Sequence, residues 1–269
     1  MIKLIAIDLD GTLLNSQKKI SIANKQAIKE ARQKGIHVIV CTGRPIKGVK
    51  DILVELDLVS EHDYVITFNG GLIQISATEE VLSAKGHTQE DVLEIYEECT
   101  RVGLPINPID VDYVYTSSYP SHNPSLYDTI AAKSLVFSNQ DWHTFLSTHL
   151  FNKVVSCCPE HILDERMALF SDTFKERFNL LKSRPILLEI LPKEVDKSYG
   201  LKEICRILKI APQEVMAIGD EENDLAMIAF AGYGVAMGNA TTKVKSTAKY
   251  ITCTNDEDGV AHAIRQYAL

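Results

Sequence analysis

The strongest constraint on the fold is an alternation of short apolar runs with amphipathic segments in the first and last thirds of the 269-residue chain. Ile2–Ile7, Ile36–Cys41 and Tyr64–Phe68 are largely apolar runs of strand length, and Ser21–Lys34 has apolar residues at helical spacing. Strands that do not alternate with polar residues are buried on both faces, which requires helices on each side of a parallel sheet. The sequence therefore predicts an α/β fold with a Rossmann-like, doubly wound parallel sheet.

The middle third has a different pattern. Thr88–Arg101 is predicted to be a helix that Thr88 caps, and Glu160–Phe178 is predicted to be one long helix. Lys153–Cys158 and Leu187–Leu191 are predicted strands, and residues 118–123 are predicted to be a loop. This mixture is typical of one antiparallel α+β unit.

These two patterns predict two domains in one chain. We expect a catalytic core formed by residues 1–82 and 192–269, with residues 83–191 inserted as an α+β cap domain. Both pieces fall in the usual size range of folded domains.

The net charge narrows the class of partner. The chain carries 28 Lys plus Arg against 36 Asp plus Glu, a formal net charge of −8. Nucleic acids and anionic membranes attract basic surfaces, so neither is expected as a partner. The apolar N-terminal run meets Asp8 and Asp10 too early for a signal peptide, and no run approaches the ~20 apolar residues of a membrane span. We expect a soluble, cytoplasmic protein.

Polar or glycine-rich residues follow four of the predicted core strands directly. These segments are Asp8–Thr12, Thr42–Arg44, Asn69–Gly71 and, after a strand predicted at Glu214–Ile218, Gly219–Asp224. In an open parallel sheet, ligands bind beyond the carboxyl ends of the strands. The four segments are therefore expected to form one shared site.

Two pairs of acidic residues stand out within these segments. Asp8 and Asp10 follow the first strand, and Asp220 and Asp224 follow a strand near the other end of the chain. Carboxylates crowded at one sheet edge repel each other and need a counter-cation. Oxygen ligands select a hard ion, and a site with few carboxylates and room for a phosphate favours Mg²⁺ over Ca²⁺.

The same segments resemble a known family. The four signature motifs of the haloacid dehalogenase superfamily are matched in order by Asp8-x-Asp10-Gly11-Thr12-Leu13, Thr42-Gly43-Arg44, Lys197 and Gly219-Asp220-x-x-Asn223-Asp224. The large insert lies between the second and third motifs, as in members with a C2-type cap. Leu188–Leu191 and Gly234–Ala240 are also similar to the Cof-type (class IIB), YidA-like sugar phosphatases, and the resemblance spans essentially the whole chain.

The resemblance implies a role for each acidic residue. Asp8 would be the nucleophile that forms an aspartyl-phosphate, and Asp10 would protonate the leaving alcohol and then activate water. Mg²⁺ would bind Asp8, the backbone carbonyl of Asp10, and Asp220. Asp224 would orient the groups around the metal.

The resemblance also implies a phosphate-binding set. Thr42 and Asn223 would donate hydrogen bonds to phosphate oxygens, together with backbone N–H groups near Leu9 and Gly43.

Lys197 would neutralise charge on the phosphoryl group. The family commonly has glycine after this lysine, whereas this chain has Ser198, which can cap the helix that follows.

These roles predict a Mg²⁺-dependent phosphatase that hydrolyses phosphomonoesters of small metabolites, sugar phosphates above all. Two alternatives stay open. A phosphohexomutase on the same fold would use the same aspartyl-phosphate but return the phosphate to a sugar. A regulator on the same fold would bind a phosphorylated metabolite without turning it over. The expected partner is a small phosphorylated metabolite, and a monomer and a homodimer are both compatible with the sequence.

Overall fold

We describe the protein from a computed structural model. The residues that it describes are 1–116, 119–120, 122–131 and 135–269. The loop predicted for residues 118–123 includes residues 118 and 121, which lie outside the described residues.

The chain divides into two compact units. Unit 1 consists of Met1–Ser83 and Asp196–Leu269, and unit 2 consists of Ala84–Val195. The first boundary follows Ser83, whereas the sequence pattern places it after residue 82. The second boundary follows Val195, whereas the pattern places it after residue 191.

The described part of the chain contains fourteen strands and ten α-helices. The strands are β1 (Leu4–Ile7), β2 (His37–Cys41), β3 (Tyr64–Thr67), β4 (Leu72–Ile75), β5 (Val81–Ala84), β6 (Asn107–Ile109), β7 (Tyr113–Tyr115), β8 (Val136–Ser138), β9 (Lys153–Cys157), β10 (Phe178–Arg184), β11 (Leu187–Pro192), β12 (Val215–Gly219), β13 (Tyr233–Ala236) and β14 (Tyr250–Ile251). The helices are α1 (Ile22–Gln33), α2 (Lys50–Glu55), α3 (Gln89–Val102), α4 (Tyr127–Ile130), α5 (Glu160–Ala168), α6 (Asp172–Arg177), α7 (Lys197–Leu208), α8 (Leu225–Phe230), α9 (Thr242–Thr247) and α10 (Gly259–Tyr267). None of the described helices is long and apolar enough to cross a membrane.

Unit 1 is built on an eight-stranded sheet with the order β14-β13-β12-β1-β2-β3-β4-β5. From β14 to β3 every neighbouring pair is parallel, and Leu4 of β1 pairs with His37 on one side and Val215 on the other. Every residue of β1 and β12 is buried, so the sheet is covered on both faces. The predicted α/β fold class is confirmed.

The far edge of this sheet departs from the predicted parallel pattern. β4 runs antiparallel to β3, with Thr67 paired to Leu72. A tight turn over Phe68–Gly70 reverses the chain between them. The sequence pattern predicts only a strand exit at Asn69–Gly71 and does not predict the returning strand β4.

Unit 2 contains a six-stranded sheet with the order β10-β11-β9-β6-β7-β8. All its pairs are antiparallel except β7 with β8, which are parallel. The prediction of an antiparallel α+β unit is therefore wrong at this edge. The helix predicted around Thr88–Arg101 is confirmed as α3, and Thr88 caps it by accepting a hydrogen bond from the Asp91 amide.

The single helix predicted over Glu160–Phe178 is wrong. It is two helices, α5 and α6, and Phe178 already belongs to β10. Ser171 accepts a hydrogen bond from the Phe174 amide and so caps α6. A serine side chain competes for backbone groups in this way, which ends one helix and starts another although the apolar spacing continues.

Candidate active site

The candidate site lies in unit 1, where the residues after four neighbouring strands come together. Asp8 directly follows β1, Thr42 follows β2, Phe68 follows β3 and Asp220 follows β12. These strands are adjacent and parallel, so their carboxyl ends lie at one edge of the sheet. The predicted strand exits therefore share one edge.

Three buried carboxylates form the centre of the site. Asp8, Asp220 and Asp224 each offer an oxygen, and these oxygens all lie within 4.8 Å of one another. Asp220 accepts a hydrogen bond from the Thr12 hydroxyl at 2.7 Å. Asp224 accepts hydrogen bonds through Oδ2 from the backbone amides of Asp220 at 2.9 Å and Glu221 at 3.1 Å.

Two glycines allow this close approach. Gly11 has a φ of +85°, and a Cβ there would lie 2.1 Å from Asp220 Oδ2. A Cβ on Gly219 would lie 2.4 Å from Cγ of Asp224. Both values are far below van der Waals contact, so any side chain at either position would displace a carboxylate of the cluster.

Lys197, the first residue of α7, is wholly buried among these carboxylates. Its Nζ donates to Asp8 Oδ1 at 2.5 Å and to Asp224 Oδ1 at 2.6 Å. Asp196 caps the same helix by accepting a hydrogen bond from the Tyr199 amide, which fixes where α7 begins.

The cluster has more negative than positive charge. Burial, helped by the charge of Asp224, raises the pKa of Asp8 to about 8 although Lys197 opposes the shift. Burial likewise raises the pKa of Asp220 to about 7, against the hydrogen bond from Thr12. Burial acts to lower the pKa of Lys197, but the charges of Asp224 and Asp8 outweigh it and raise that pKa. One ammonium group facing three carboxylates leaves a deficit that a hard divalent cation would fill.

The carboxylate of Asp10 lies outside this cluster and is held by two cations. Arg44 donates from Nε to Oδ2 at 3.0 Å and from a terminal nitrogen to both oxygens at 2.7 Å. Lys18 donates to Oδ1 at 3.0 Å. Burial acts to raise the pKa of Asp10, but Arg44 and Lys18 more than offset it and lower that pKa.

Three of the residues predicted to bind phosphate, Thr42, Gly43 and Asn223, lie against the side chain or backbone of Asn69. The Asn69 amide donates to the carbonyl of Thr42 at 3.0 Å, and Asn223 donates to Asn69 Oδ1 at 3.4 Å. A Cβ on Gly43 would lie 2.9 Å from Asn69 Oδ1, so the Asn69 side chain packs directly on that glycine. Leu9 is buried, and its carbonyl accepts hydrogen bonds from residues 12 and 14.

The backbone that presents Asn69 is strained. Phe68 and Asn69 have φ values of 51° and 54°, and Gly70 has 98°. A bulky residue at positive φ is rare, and such strain clusters at functional sites. A Cβ on Gly70 would lie 2.0 Å from the carbonyl oxygen of Asp196, so this turn packs against the start of α7.

The structure thus brings Asp8, Lys197, Asp220 and Asp224 into direct contact or close approach, and it places Thr42, Gly43 and Asn223 around Asn69. Four further residues at the site, Thr12, Arg44, Asn69 and Lys18, have no role predicted from the sequence. Thr12, Arg44 and Asn69 lie inside segments that the sequence pattern singled out, so their position was a usable signal. Lys18 lies outside those segments and reaches Asp10 through a turn in which its own φ is 59°.

The chain is similar to known hydrolases over nearly its whole length. Residues 5–264 match the family model of haloacid dehalogenase-like hydrolases. A Bacillus subtilis protein, YxeH, is 36% identical over 100% of this chain and 99% of its own. The 5-amino-6-(5-phospho-D-ribitylamino)uracil phosphatase YcsE of Bacillus subtilis is 33% identical over 100% of this chain and 96% of its own.

A solved structure agrees with these sequence matches. The crystal structure of a haloacid dehalogenase-like hydrolase from Bacteroides thetaiotaomicron superposes with a TM-score of 0.84 and 33% identity. The match covers 99% of each chain.

Proposed function

The chain belongs to the haloacid dehalogenase-like hydrolase family and is a phosphatase, and we propose that it hydrolyses phosphomonoesters of small metabolites through an aspartyl-phosphate on Asp8. The observation that carries this proposal is the 2.5 Å hydrogen bond between the buried ammonium of Lys197 and one oxygen of Asp8. Within the described part of the chain, the other oxygen of Asp8 accepts no hydrogen bond, which leaves it for attack on phosphorus.

The chemistry proceeds in two displacements. In the first, Asp8 attacks phosphorus, the bond from phosphorus to the substrate oxygen breaks, and Asp10 gives a proton to the departing alcohol. In the second, Asp10 takes a proton from water, the water oxygen attacks phosphorus, and the bond to Asp8 breaks to release phosphate. In the first step, the negative charge of the phosphate bound beside Asp10 favours its protonated form. In the second step, the ion pair with Arg44 favours its ionised form.

A divalent metal fits the acidic cluster. Asp8 and Asp220 are buried carboxylates whose pKa values are raised by burial and by the charge of Asp224, as expected where three carboxylates face one ammonium group. We propose that these two side chains and the backbone carbonyl of Asp10 hold Mg²⁺, which would offset the charge of the phosphate when bound. Both oxygens of Asp224 already accept hydrogen bonds, so we assign it to orienting Lys197 and the Asp220 backbone.

The phosphate oxygens would be bound by the groups around the turn at Asn69. We assign the Thr42 hydroxyl, the Asn223 amide and the backbone N–H groups of Leu9 and Gly43 to this task. Lys197 would contribute its positive charge. Donors fixed before the reaction stabilise the charge that develops on the phosphoryl group without reorganising.

We propose that the substrates are sugar or polyol phosphates. The family resemblance favours sugar phosphates, and the relative YcsE is named for a substrate that carries its phosphate on a ribityl chain. A screen should therefore include hexose and pentose phosphates, 5-amino-6-(5-phospho-D-ribitylamino)uracil, nucleotides and pyridoxal phosphate, with kcat/KM as the readout.

The decisive experiment replaces the nucleophile. Asp8→Asn should lower phosphate release from p-nitrophenyl phosphate by at least about 10³-fold, because the covalent step is lost. Asp57→Asn is the matched control, since this carboxylate in the same unit is almost fully exposed and should leave the rate unchanged. Wild-type turnover in Asp8→Asn would overturn the mechanism.

The phosphohexomutase alternative is tested by the fate of the phosphate. A hydrolase releases inorganic phosphate from a sugar monophosphate with no bisphosphate present, whereas a mutase returns the phosphate to another sugar position. The chain is an enzyme of this family, so the alternative of a non-catalytic regulator does not apply.

A further inference from the structure

In the mechanism above Arg44 serves only to keep Asp10 ionised, yet it makes the closest contacts to the carboxylate of Asp10. Its guanidinium donates to both oxygens, from Nε at 3.0 Å and from a terminal nitrogen at 2.7 Å. Neither partner is fully exposed, with side-chain exposures of 31% for Arg44 and 37% for Asp10. Two donors on one rigid plane fix the orientation of a carboxylate as well as its position.

The backbone of Arg44 is itself anchored to the site. Its N–H donates to the hydroxyl of Thr42 at 3.2 Å, and its carbonyl accepts from the amide of Phe68 at 3.3 Å. Arg44 is therefore tied to the loops after β2 and β3, whereas Asp10 lies in the loop after β1. The pair joins two loops of the site through a side-chain contact.

Lys18 also contacts Asp10, but in a different way. It makes a single hydrogen bond to Oδ1 at 3.0 Å, and its side chain is 66% exposed. An ammonium on a flexible four-carbon chain supplies charge without fixing the plane of its partner. Replacing Lys18 therefore removes a nearby positive charge without removing the contact that orients Asp10, whereas replacing Arg44 removes both.

The Asp10 carboxylate needs a contact from outside its own loop to fix its orientation. Asp10 is followed by Gly11, whose φ of +85° is a conformation that only glycine adopts easily. Proton transfer requires a carboxyl group oriented toward the leaving oxygen, and small misplacements cost large factors in rate. We propose that Arg44 is a positioning residue that orients the Asp10 carboxylate for proton transfer to the leaving group. This inference rests on the proposed role of Asp10.

The dependence of rate on the leaving group tests this role. A substrate that releases an acidic phenol needs little protonation, whereas an alkyl phosphate releases an alcohol that needs a full proton. Because kcat/KM reports the steps up to the first irreversible one, it follows phosphoryl transfer to Asp8 and leaves out the later attack of water. We would measure kcat/KM for a series of aryl phosphates and one alkyl phosphate.

Asp10→Ala should lower kcat/KM about 10²-fold for the alkyl phosphate and much less for p-nitrophenyl phosphate, since general acid catalysis contributes about 10²–10⁴-fold to the rate. The variant should therefore show a steep dependence of kcat/KM on the leaving group. Arg44→Ala should show the same steep dependence, and so should Arg44→Lys, which keeps the charge but loses the two-point contact. The double variant Arg44→Ala, Asp10→Ala should lose no more than Asp10→Ala alone. Lys18→Met should keep the shallow leaving-group dependence of the wild type.

Retained activity of Arg44→Ala on p-nitrophenyl phosphate shows that the variant is folded. An equal loss on all substrates in Arg44→Ala would overturn the inference, because it indicates a role in phosphate binding or structure. A steep dependence of kcat/KM on the leaving group in Lys18→Met would also overturn the inference. It would show that loss of a nearby positive charge is enough to cause the effect, whether or not the carboxylate is oriented by a two-point contact. A shallow dependence in Asp10→Ala itself would instead refute the proposed role of Asp10, so the two failures are distinguishable.

Discussion

The ammonium of Lys197 and the carboxylate of Asp8 form a buried ion pair with an Nζ to Oδ1 distance of 2.5 Å, and the lysine side chain has no exposed surface. The same ammonium reaches Asp224 at 2.6 Å, so a single cation holds two carboxylates, one directly after β1 and the other in the segment that follows β12. A buried charge pair contributes little net stability, but removing one partner leaves an uncompensated charge. Lys197 is therefore expected to matter for stability as well as for turnover.

Lys197→Met tests both consequences. We expect a loss of about 3–5 kcal/mol in the free energy of unfolding at pH 8, since the carboxylates then repel without a counter-charge. We also expect at least a 10²-fold loss in kcat, of the order found when one stabilising donor is removed. Urea unfolding and turnover of p-nitrophenyl phosphate measure the two effects, with the exposed Lys202→Met as the control. A variant as stable and active as wild type would contradict the ion-pair assignment.

Removal of divalent metal should abolish turnover if the acidic cluster binds Mg²⁺ as proposed. Excess chelator should stop phosphate release, and added Mg²⁺ should restore it, whereas Ca²⁺, which prefers more ligands, should not. Mg²⁺ should also raise the unfolding midpoint of the wild type, since a ligand bound only to the folded state stabilises it. Asp220→Asn should lose that stabilisation. Full activity in chelator would refute the metal assignment.

Gly11 offers a test of the packing behind the site. Gly11→Ala meets two obstacles, a φ of +85° and a Cβ 2.1 Å from an oxygen of Asp220, so it should displace that carboxylate and lower kcat/KM at least tenfold. Gly35→Ala is the matched control, because its φ is +79° but no atom of the described residues lies within 4 Å of its Cβ. That variant should lose only about 1–2 kcal/mol of stability to left-handed strain and keep its activity. Equal activity in both variants would show that contact with Asp220 is not needed.

The parts of this site that the sequence predicted are those that depend on strand order along one edge. Asp8, Thr42 and Asp220 each follow an apolar strand directly, and parallel strands bring such positions together whatever the detailed packing. The contact between Asp10 and Arg44 needs more information. The contact forms only because β1 lies next to β2 and because the two side chains point toward each other from their loops. The spacing of residues along the sequence predicts neither of these features.

In the parts that the sequence did not predict, a specific hydrogen bond or close contact competes with the structure that the apolar pattern favours. The apolar spacing through residue 178 continues the helical pattern, but the Ser171 hydroxyl binds the Phe174 amide and starts a new helix. Phe68 continues the apolar pattern of β3, yet it adopts a φ of 51° because the turn packs against the start of α7. In both cases, a hydrogen bond or a close tertiary contact overrides the pattern.

His87 predicts a pH dependence of stability in unit 2. The side chain is wholly buried, Nε2 donates to the carbonyl of Ile190 at 3.0 Å, and no described group pairs with Nδ1. Burial lowers the pKa of His87 from its usual 6.5 to about 4, so the folded state binds the proton less well than the unfolded state. The neutral His87 side chain therefore contributes about 3 kcal/mol to the free energy of unfolding. This contribution is fully present above pH 6.5 and is lost as the pH falls through 4.

Comparison of His87→Gln with wild type isolates this effect from the carboxylates that titrate in the same range. The chain has one tryptophan, Trp142, which is buried in unit 2, so its fluorescence follows the unfolding of that unit in urea. The free energy of unfolding should fall more steeply between pH 7 and pH 4.5 in the wild type than in the variant, because only the wild type must charge a buried imidazole. Parallel pH profiles for the two proteins would show that His87 has the same pKa in the folded and unfolded states, and the predicted linkage would then be wrong.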